Sequence, residues 1–534
     1  MDPTAAPSDH IAIFLDRPAD VRAYLEALPP RLLSPSLASL LALFAAQRAG
    51  RLAATAGDVR LWPTLDLSNA SPDDELARHI TTCLGLFPML RLQVVGFPYV
   101  IPRTTRLELA NLSLPTAFTT ALQQWPDAIT SISLDLRDGA WSIDALAHGL
   151  ASLPRLEAID VLWPSTRSDE AFTALLEAMT TTPITSLALR FSFDSRLNWT
   201  SRMTSLVVQW LATRPVQSVA LHSLKAIDEA CLHTLLDAIT HCKTLETLVL
   251  RSVALARPLF KRRITLPTSL TTLELWSIPY DDLDRAMASL AHLPLHTLRF
   301  SVLFPGRHKR DEDLAATRFV SETLPTLTAL RTLELFSFPL PKESWRPLGL
   351  VVQRLEHIFL YENKLKDDGL SVLAAALPAC RRLQTLHVIS QKCTDRSAIA
   401  IANGAPPSLR SLDLSENRIG SDGAIALSRL VSQLDSVDLN DNEIGATGAV
   451  ALARVLPQAR HLRQVGLMYN PVKRRGVLAL VSGLSHSRHF QGGAVVVIGA
   501  VATDRTNDVA ACRQAIARLP NQSMLQFEQP DMMF

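Results

Sequence analysis

Apolar and polar residues alternate in one short phrase, Leu-x-x-Leu-x-Leu, that returns roughly every 25 to 29 residues between about residue 104 and residue 470. The sharpest copies are Leu409/Leu412/Leu414/Asn417, Leu434/Val437/Leu439/Asn442 and Leu462/Val465/Leu467/Asn470. Upstream, the frame persists at Leu245, Leu270, Leu295, Leu330, Leu355 and Leu383, with fainter starts at Thr104, Ile129, Leu156, Ile184 and Val216. Within each phrase the apolar positions fall on one side of an extended chain and the intervening polar ones on the other, which predicts a short strand with one buried face. Between strands the spacing changes to that of a helix. Ile419-Gly-Ser-Asp-Gly423-Ala-Ile-Ala-Leu427 and Ile444-Gly-Ala-Thr-Gly448-Ala-Val-Ala-Leu452 each begin with a turn and continue as a small-residue helix suited to close packing on a sheet.

One such unit cannot bury its own apolar face, so the units must stack. About fourteen phrases, one strand and one helix each, predict an α/β solenoid: parallel strands on the concave side of a horseshoe and bulkier helices on the convex side. The Asn that closes the best copies (Asn363, Asn417, Asn442, Asn470) is expected to bond turn backbone that no strand neighbour reaches. The phrase Asn-x-Ile-Gly-x-x-Gly-Ala-x-Ala-Leu, at 417–427 and again at 442–452, resembles the long leucine-rich repeat of ribonuclease inhibitor, the Ran GTPase activator and intracellular immune receptors. That resemblance implies a leucine-rich-repeat fold and leaves the task open, because the repeat class serves unrelated functions.

Residues 1–68 lack the phrase and read as a small helical segment, followed by a linking region at 69–103, the array at 104–490, and a cap and tail at 491–534. Gln491-Gly-Gly-Ala-Val-Val-Val-Ile498 is expected to close the sheet as a last strand, with a capping helix over 507–519. The N-terminal segment opens Ile11-Ala-Ile-Phe14-Leu15, continues with Asp20-Val21-Arg-Ala-Tyr-Leu25, and closes Leu61-Trp62-Pro-Thr-Leu65-Asp-Leu67. In this it resembles an F-box, although the stretch before Trp62 is long and a Cys-Arg-x-Trp-like middle is missing. The resemblance implies docking on the adaptor subunit of a cullin-type ubiquitin ligase through Phe14, Leu15, Val21, Leu25 and Trp62. The same segment also suits a plain N-terminal cap over the first repeat.

Outward strand positions are where a partner would touch. Between the last two apolar positions stand Val249, Glu274, Arg299, Glu334, Phe359, His387, Asp413, Asp438 and Gly466, and just beyond them stand Arg251, Trp276, Ser301, Phe336, Tyr361 and Ile389. Aromatic residues with arginine nearby are the usual make-up of an interface hot spot. The candidate partner site is therefore Arg251, Trp276, Arg299, Phe336, Phe359, Tyr361, His387, Asp413 and Asp438. The carboxylates of Asp413, Glu416, Asp438, Asp441 and Glu443 would steer a basic ligand to the later repeats. Two breaks in the period, around Lys261-Arg-Arg263 and Pro305-Gly-Arg307-His-Lys309-Arg310-Asp-Glu-Asp313, are read as charged loops.

Composition narrows the remaining classes. At 48% hydrophobic and 19% charged residues, with a formal net charge of +2, the chain can fill a large core and carries no basic field for nucleic acid or membrane. The N-terminus has no signal-like core and no apolar run reaches a membrane span, so a cytoplasmic protein is expected, with a nuclear one also compatible. The six cysteines show no Cys-x-x-Cys pair and are read as buried thiols, with no cofactor or metal implied. Phosphate-loop, dinucleotide, nucleophile-elbow and His-Glu-x-x-His motifs are absent, which favours a binding protein over an enzyme. The one catalytic reading carried forward is activation of a small GTPase, on the resemblance to the Ran activator; its acidic tail has no counterpart in the ending Met524 to Phe534.

Overall fold

The computed structural model describes residues 18–48, 61–62, 64–67, 74–92, 101–102, 105–137, 140–192, 194–195, 197–261, 265–279, 282–291, 293–302, 309–460, 462–486, 495–498, 506–519 and 525–527. The chain divides into two compact units, Met1–Pro258 and Leu259–Phe534.

In the first unit the strands Thr64–Asp66, Met89–Leu92, Arg106–Leu112, Ile129–Asp135, Ala158–Trp163, Ser186–Phe191, Ser218–His222 and Thr247–Arg251 pair in that order, every pair parallel. Parallel neighbours need a crossover, and a helix supplies it in most repeats, as in Ile143–Ala151, Asp169–Thr181, Ser201–Thr213 and Glu229–His241. All four of these helices start on a Ser, Thr or Asp whose side chain accepts from the third helical N–H: Ser142 from Ala145, Ser168 from Ala171, Thr200 from Met203 and Asp228 from Cys231.

The sheet starts earlier than the sequence pattern indicates. Residues 64–66 and 89–92 already pair in register, so the expected linking region holds a repeat whose helix is Asp74–Cys83. Its Leu-x-Leu phrases at Leu65/Leu67 and Leu90/Leu92 lack the leading leucine and escape the longer template. Ahead of it, helices Pro18–Ala27 and Pro35–Arg48 cover the first repeat. Ser36 Oγ donates to the carbonyl of Thr82 at 3.0 Å, and His79 Nδ1 meets Ser39 Oγ at 3.3 Å.

In the second unit the strands Thr272–Ile278, Thr297–Val302, Thr332–Phe336, His357–Tyr361, Thr385–Ile389, Ser411–Asp413, Ser436–Asp438, Gln464–Gly466, Val495–Ile498 and Leu525–Phe527 form a second parallel run. Val495–Ile498 joins the sheet as expected, and helix Thr506–Ile516 follows it, but the chain then adds one more parallel strand. The segment after 490 therefore continues the strand-helix-strand rhythm. Residues 309–313, read above as loop, open the helix Lys309–Arg318, while 303–308 and 262–264 lie outside the described residues.

A polar ladder runs beneath the later strands. Asn417 Nδ2 donates to the carbonyls of Val388, Leu414 and Ser415, and its Oδ1 accepts from the N–H groups of Gln391 and Cys393. Asn442 bonds Leu414, Leu439, Asn440 and Ile419 in the same way, and Asn470 bonds Leu439, Met468 and Ile444. Gln391 takes the place of Asn in its repeat, donating to Leu360, Ile389 and the side chain of Asn363. The residue before each member turns left-handed: Glu362, Ser390, Glu416, Asp441 and Tyr469 have φ of 53°, 55°, 56°, 51° and 56°. Non-glycine residues there cost on the order of 1 kcal/mol each, which the ladder behind them offsets.

The helix-free face of the second unit as candidate interface

Alternation sends Leu273, Leu275, Leu298, Phe300, Leu333 and Leu335 into the core, each no more than 0% exposed. It sends their neighbours to the face away from the helices. Strand register then lines these up as a row, Glu274, Arg299, Glu334, Phe359, His387, Asp413, Asp438 and Gly466. A second row carries Ser301, Phe336, Tyr361 and Ile389.

Trp276 reaches the second row by a different route. The ladder between the first two strands shifts between Leu275 and Ile278, and Ser277 turns left-handed at φ 63°. This local bulge leans the indole across the intervening strand, where its ring stacks on Phe336 at 4.9 Å and 28°. Ser301, on the strand between them, is only 7% exposed. Phe336 in turn tilts toward Tyr361 at 6.2 Å, and Phe359 meets the His387 ring edge-on at 4.7 Å. All five rings are half-buried, so the packed group Trp276–Phe336–Tyr361 and the pair Phe359–His387 line the face as a track that still presents surface.

An ion cluster anchors the start of the track. Arg299 lies between two carboxylates, at 2.8 Å from Glu334 and 3.5 Å from Glu274, while Glu274 also accepts the indole N–H of Trp276 at 2.6 Å. Burial works against the charge on Arg299, yet Glu334 and Glu274 outweigh it and hold its pKa above the ordinary value. The repeated Thr-Leu-Glu-Leu-aromatic phrases at 272–276 and 332–336, with Thr-Leu-Arg-Phe between them at 297–300, were the sequence signal for this clamp.

Farther along, charge is less well matched. Burial pushes the His387 imidazole down, Asp413 opposes that, and His357 adds to it. Asp438 is pushed up to about 6 by burial, with the neighbouring Asp413 charge contributing. Burial, then the charges of Glu416 and Glu362, raise the Tyr361 phenol.

Arg251 stands apart from the other candidates, because it belongs to the first unit, where it pairs in register with His222. The N-terminal candidates are mostly internal. Val21, Leu25 and Trp62 are 0%, 0% and 3% exposed, and Trp62 packs on Phe87 of the first repeat at 5.6 Å, so these side chains face inward. Phe14 and Leu15 lie outside the described residues. Leu32, which the sequence did not single out, is 53% exposed on the same segment.

Among the described residues no set of His, Cys, Asp or Glu side chains is placed to hold a metal, and no helix is long and apolar enough to cross a membrane. The six cysteines are buried, and burial pushes the thiols of Cys83 and Cys393 up to about 12 and that of Cys380 to about 11, far from a reactive thiolate.

Parallel strands, outer helices and a closing Asn define a leucine-rich-repeat solenoid. In agreement, a family model described as "Leucine Rich repeat" matches residues 405–428 and 434–453, the repeats with the fullest pattern. The chain is 41% identical over 141 residues to NACHT, LRR and PYD domains-containing protein 5 of Bos taurus, a stretch equal to 25% of this chain and 13% of that protein's length. Among solved structures it is similar to the yeast Rad7 and Elc1 complex, with 14% identity, 82% of this chain and 89% of that chain covered, and a TM-score of 0.38. It is also similar to the TLR13–ssRNA13 complex, with 16% identity, 71% and 45% covered, and a TM-score of 0.30.

Proposed function

We propose that the protein is a non-enzymatic interaction module that holds a protein partner on the helix-free face of its second unit. The observation that carries this is the row of rings Trp276, Phe336, Tyr361, Phe359 and His387, each half-buried and still presenting surface on the strands. Large rings held in place lose little conformational freedom when a partner covers them, which is why such residues dominate interface energies. Affinity capture with the wild-type chain and with a Phe336→Ala/Phe359→Ala variant tests it. Proteins retained by the first and lost from the second support the reading, provided circular dichroism finds the variant folded; identical capture by both removes it.

A second reading, favoured by the paired helices Pro18–Ala27 and Pro35–Arg48 and by the exposed Leu32, makes the chain a substrate receptor that docks on the adaptor subunit of a cullin ubiquitin ligase. Because Val21, Leu25 and Trp62 are internal, the docking surface would include Leu32. Calorimetry of the full chain against that adaptor should give binding that Leu32→Asp abolishes. A folded chain that gives no heat of binding leaves the segment as a cap.

A further inference from the structure

On the reading of this face as a protein-binding surface, we infer that the segment it holds is cationic: an apolar side chain seats on the aromatic track, and a pair of Arg or Lys side chains reaches Asp413 and Asp438. The charge arrangement points there. Glu274, Arg299 and Glu334 satisfy one another within the chain. Asp413 and Asp438 do not. They stand directly opposite on adjacent strands, a placement that costs stability for like charges, and among the described residues neither is paired with a Lys or Arg. Oδ1 of Asp413 accepts from the N–H and O–H of Ser415, and Oδ1 of Asp438 accepts the N–H of Asn440. These bonds fix both carboxylates in position without neutralising either.

The burial that pushes Asp438 up to about 6 is consistent with a charge left without a partner. A cation brought by a partner would relieve the repulsion and meet two preset acceptors. Phosphate-rich partners, nucleic acid or anionic lipid, carry the wrong sign for this stretch of sheet.

Geometry sets the spacing. From the strand of Phe359 to that of Asp438 is three strand steps, about 14 Å. An extended segment covers that distance in about four residues, so the apolar anchor and the basic pair should be separated by that interval.

The test pans a display library of random linear peptides on the full chain and measures the selected peptides by fluorescence anisotropy against wild type, Phe336→Ala and Asp413→Asn/Asp438→Asn. Expected are peptides with an apolar residue and basic residues at that interval, binding wild type about tenfold more tightly than the Asn variant, with the difference shrinking as salt rises. Both Asp→Asn changes keep side-chain shape and the Oδ1 acceptor, so folding is retained. Peptides that lose binding to Phe336→Ala yet ignore the Asn changes would overturn the cationic inference and leave the binding face standing. Selected peptides indifferent to all variants, or no selected peptides, would remove both.

Discussion

The strand runs of the two units share one architecture and differ in the character of the surface they present. In the first unit the outward charges are matched within the chain: Arg91 lies 3.8 Å from Asp66 and 3.3 Å from Glu108, Arg137 pairs with Asp135 at 2.7 Å, and Arg190 pairs with Asp160 at 2.8 Å. The row continuing from Asp160 carries only Ala188, Ala220 and Val249. In the second unit, rings and carboxylates occupy the equivalent rows, and part of that charge is unmatched. A face of small residues and closed ion pairs is already satisfied. A face of half-buried rings beside opposed carboxylates gains from being covered, and this difference locates the interface.

The interiors differ as well. Where the later repeats close on a buried Asn, the first unit closes on leucine, at Leu112 and Leu224, again behind a left-handed residue, Asn111 and Ser223. Asn417→Ala would strand backbone groups in the interior and should cost about 2–4 kcal/mol. Hydrogen exchange checks it: the amides of Gln391 and Cys393, which donate to Asn417, should lose protection. Asn417→Leu should be no better, because it supplies volume without a partner. In the first unit Leu224→Val should be tolerated at about 1 kcal/mol, since only packing is lost there.

The faces can be set against each other by binding. Phe336→Ala and Phe359→Ala should each weaken a partner by about 2 kcal/mol, whereas Leu162→Ala on the first unit should leave affinity unchanged in the same titration.

Asp438 gives a test by pH. Its folded pKa, about 6, lies above the ordinary 3.8, so the folded state holds the proton more tightly. The stabilisation is therefore fully present below about pH 4 and lost as pH rises through 6. Asp438→Asn should be more stable than wild type by about 1–2 kcal/mol at pH 8, allowing for partial solvent screening, and the advantage should vanish near pH 4. Chemical denaturation at the two pH values measures it, and an advantage independent of pH would refute the assignment.

The smallest effect concerns the turns. Glu416→Gly removes the left-handed strain at φ 56° but loosens the unfolded chain, for a net gain of about 0.5 kcal/mol in thermal unfolding.

Much of this was legible because periodicity is local. The frame at Leu409, Leu434 and Leu462 identified strands, helices and stacking, and put Phe359, His387, Asp413 and Asp438 in one row. It overlooked the repeats at Leu65 and Leu90, whose shortened phrases became recognisable only once each strand had a neighbour. It put Val21, Leu25 and Trp62 forward as adaptor contacts and did not show that all three are buried, because a helical motif does not say which of its apolar residues face inward.

By itself, then, the sequence determined the repeat, its strand and helix, the buried Asn and the order of outward residues, since each follows from spacing within some thirty residues. Only the tertiary structure decided that Trp276 crosses a strand to stack on Phe336, that Arg299 is claimed by Glu274 and Glu334, and that Asp413 and Asp438 stand opposed with no Lys or Arg paired to either among the described residues. Those relations join residues from different repeats. They depend on register, bulges and the limited space above a sheet, which exist only after the strands have been brought side by side.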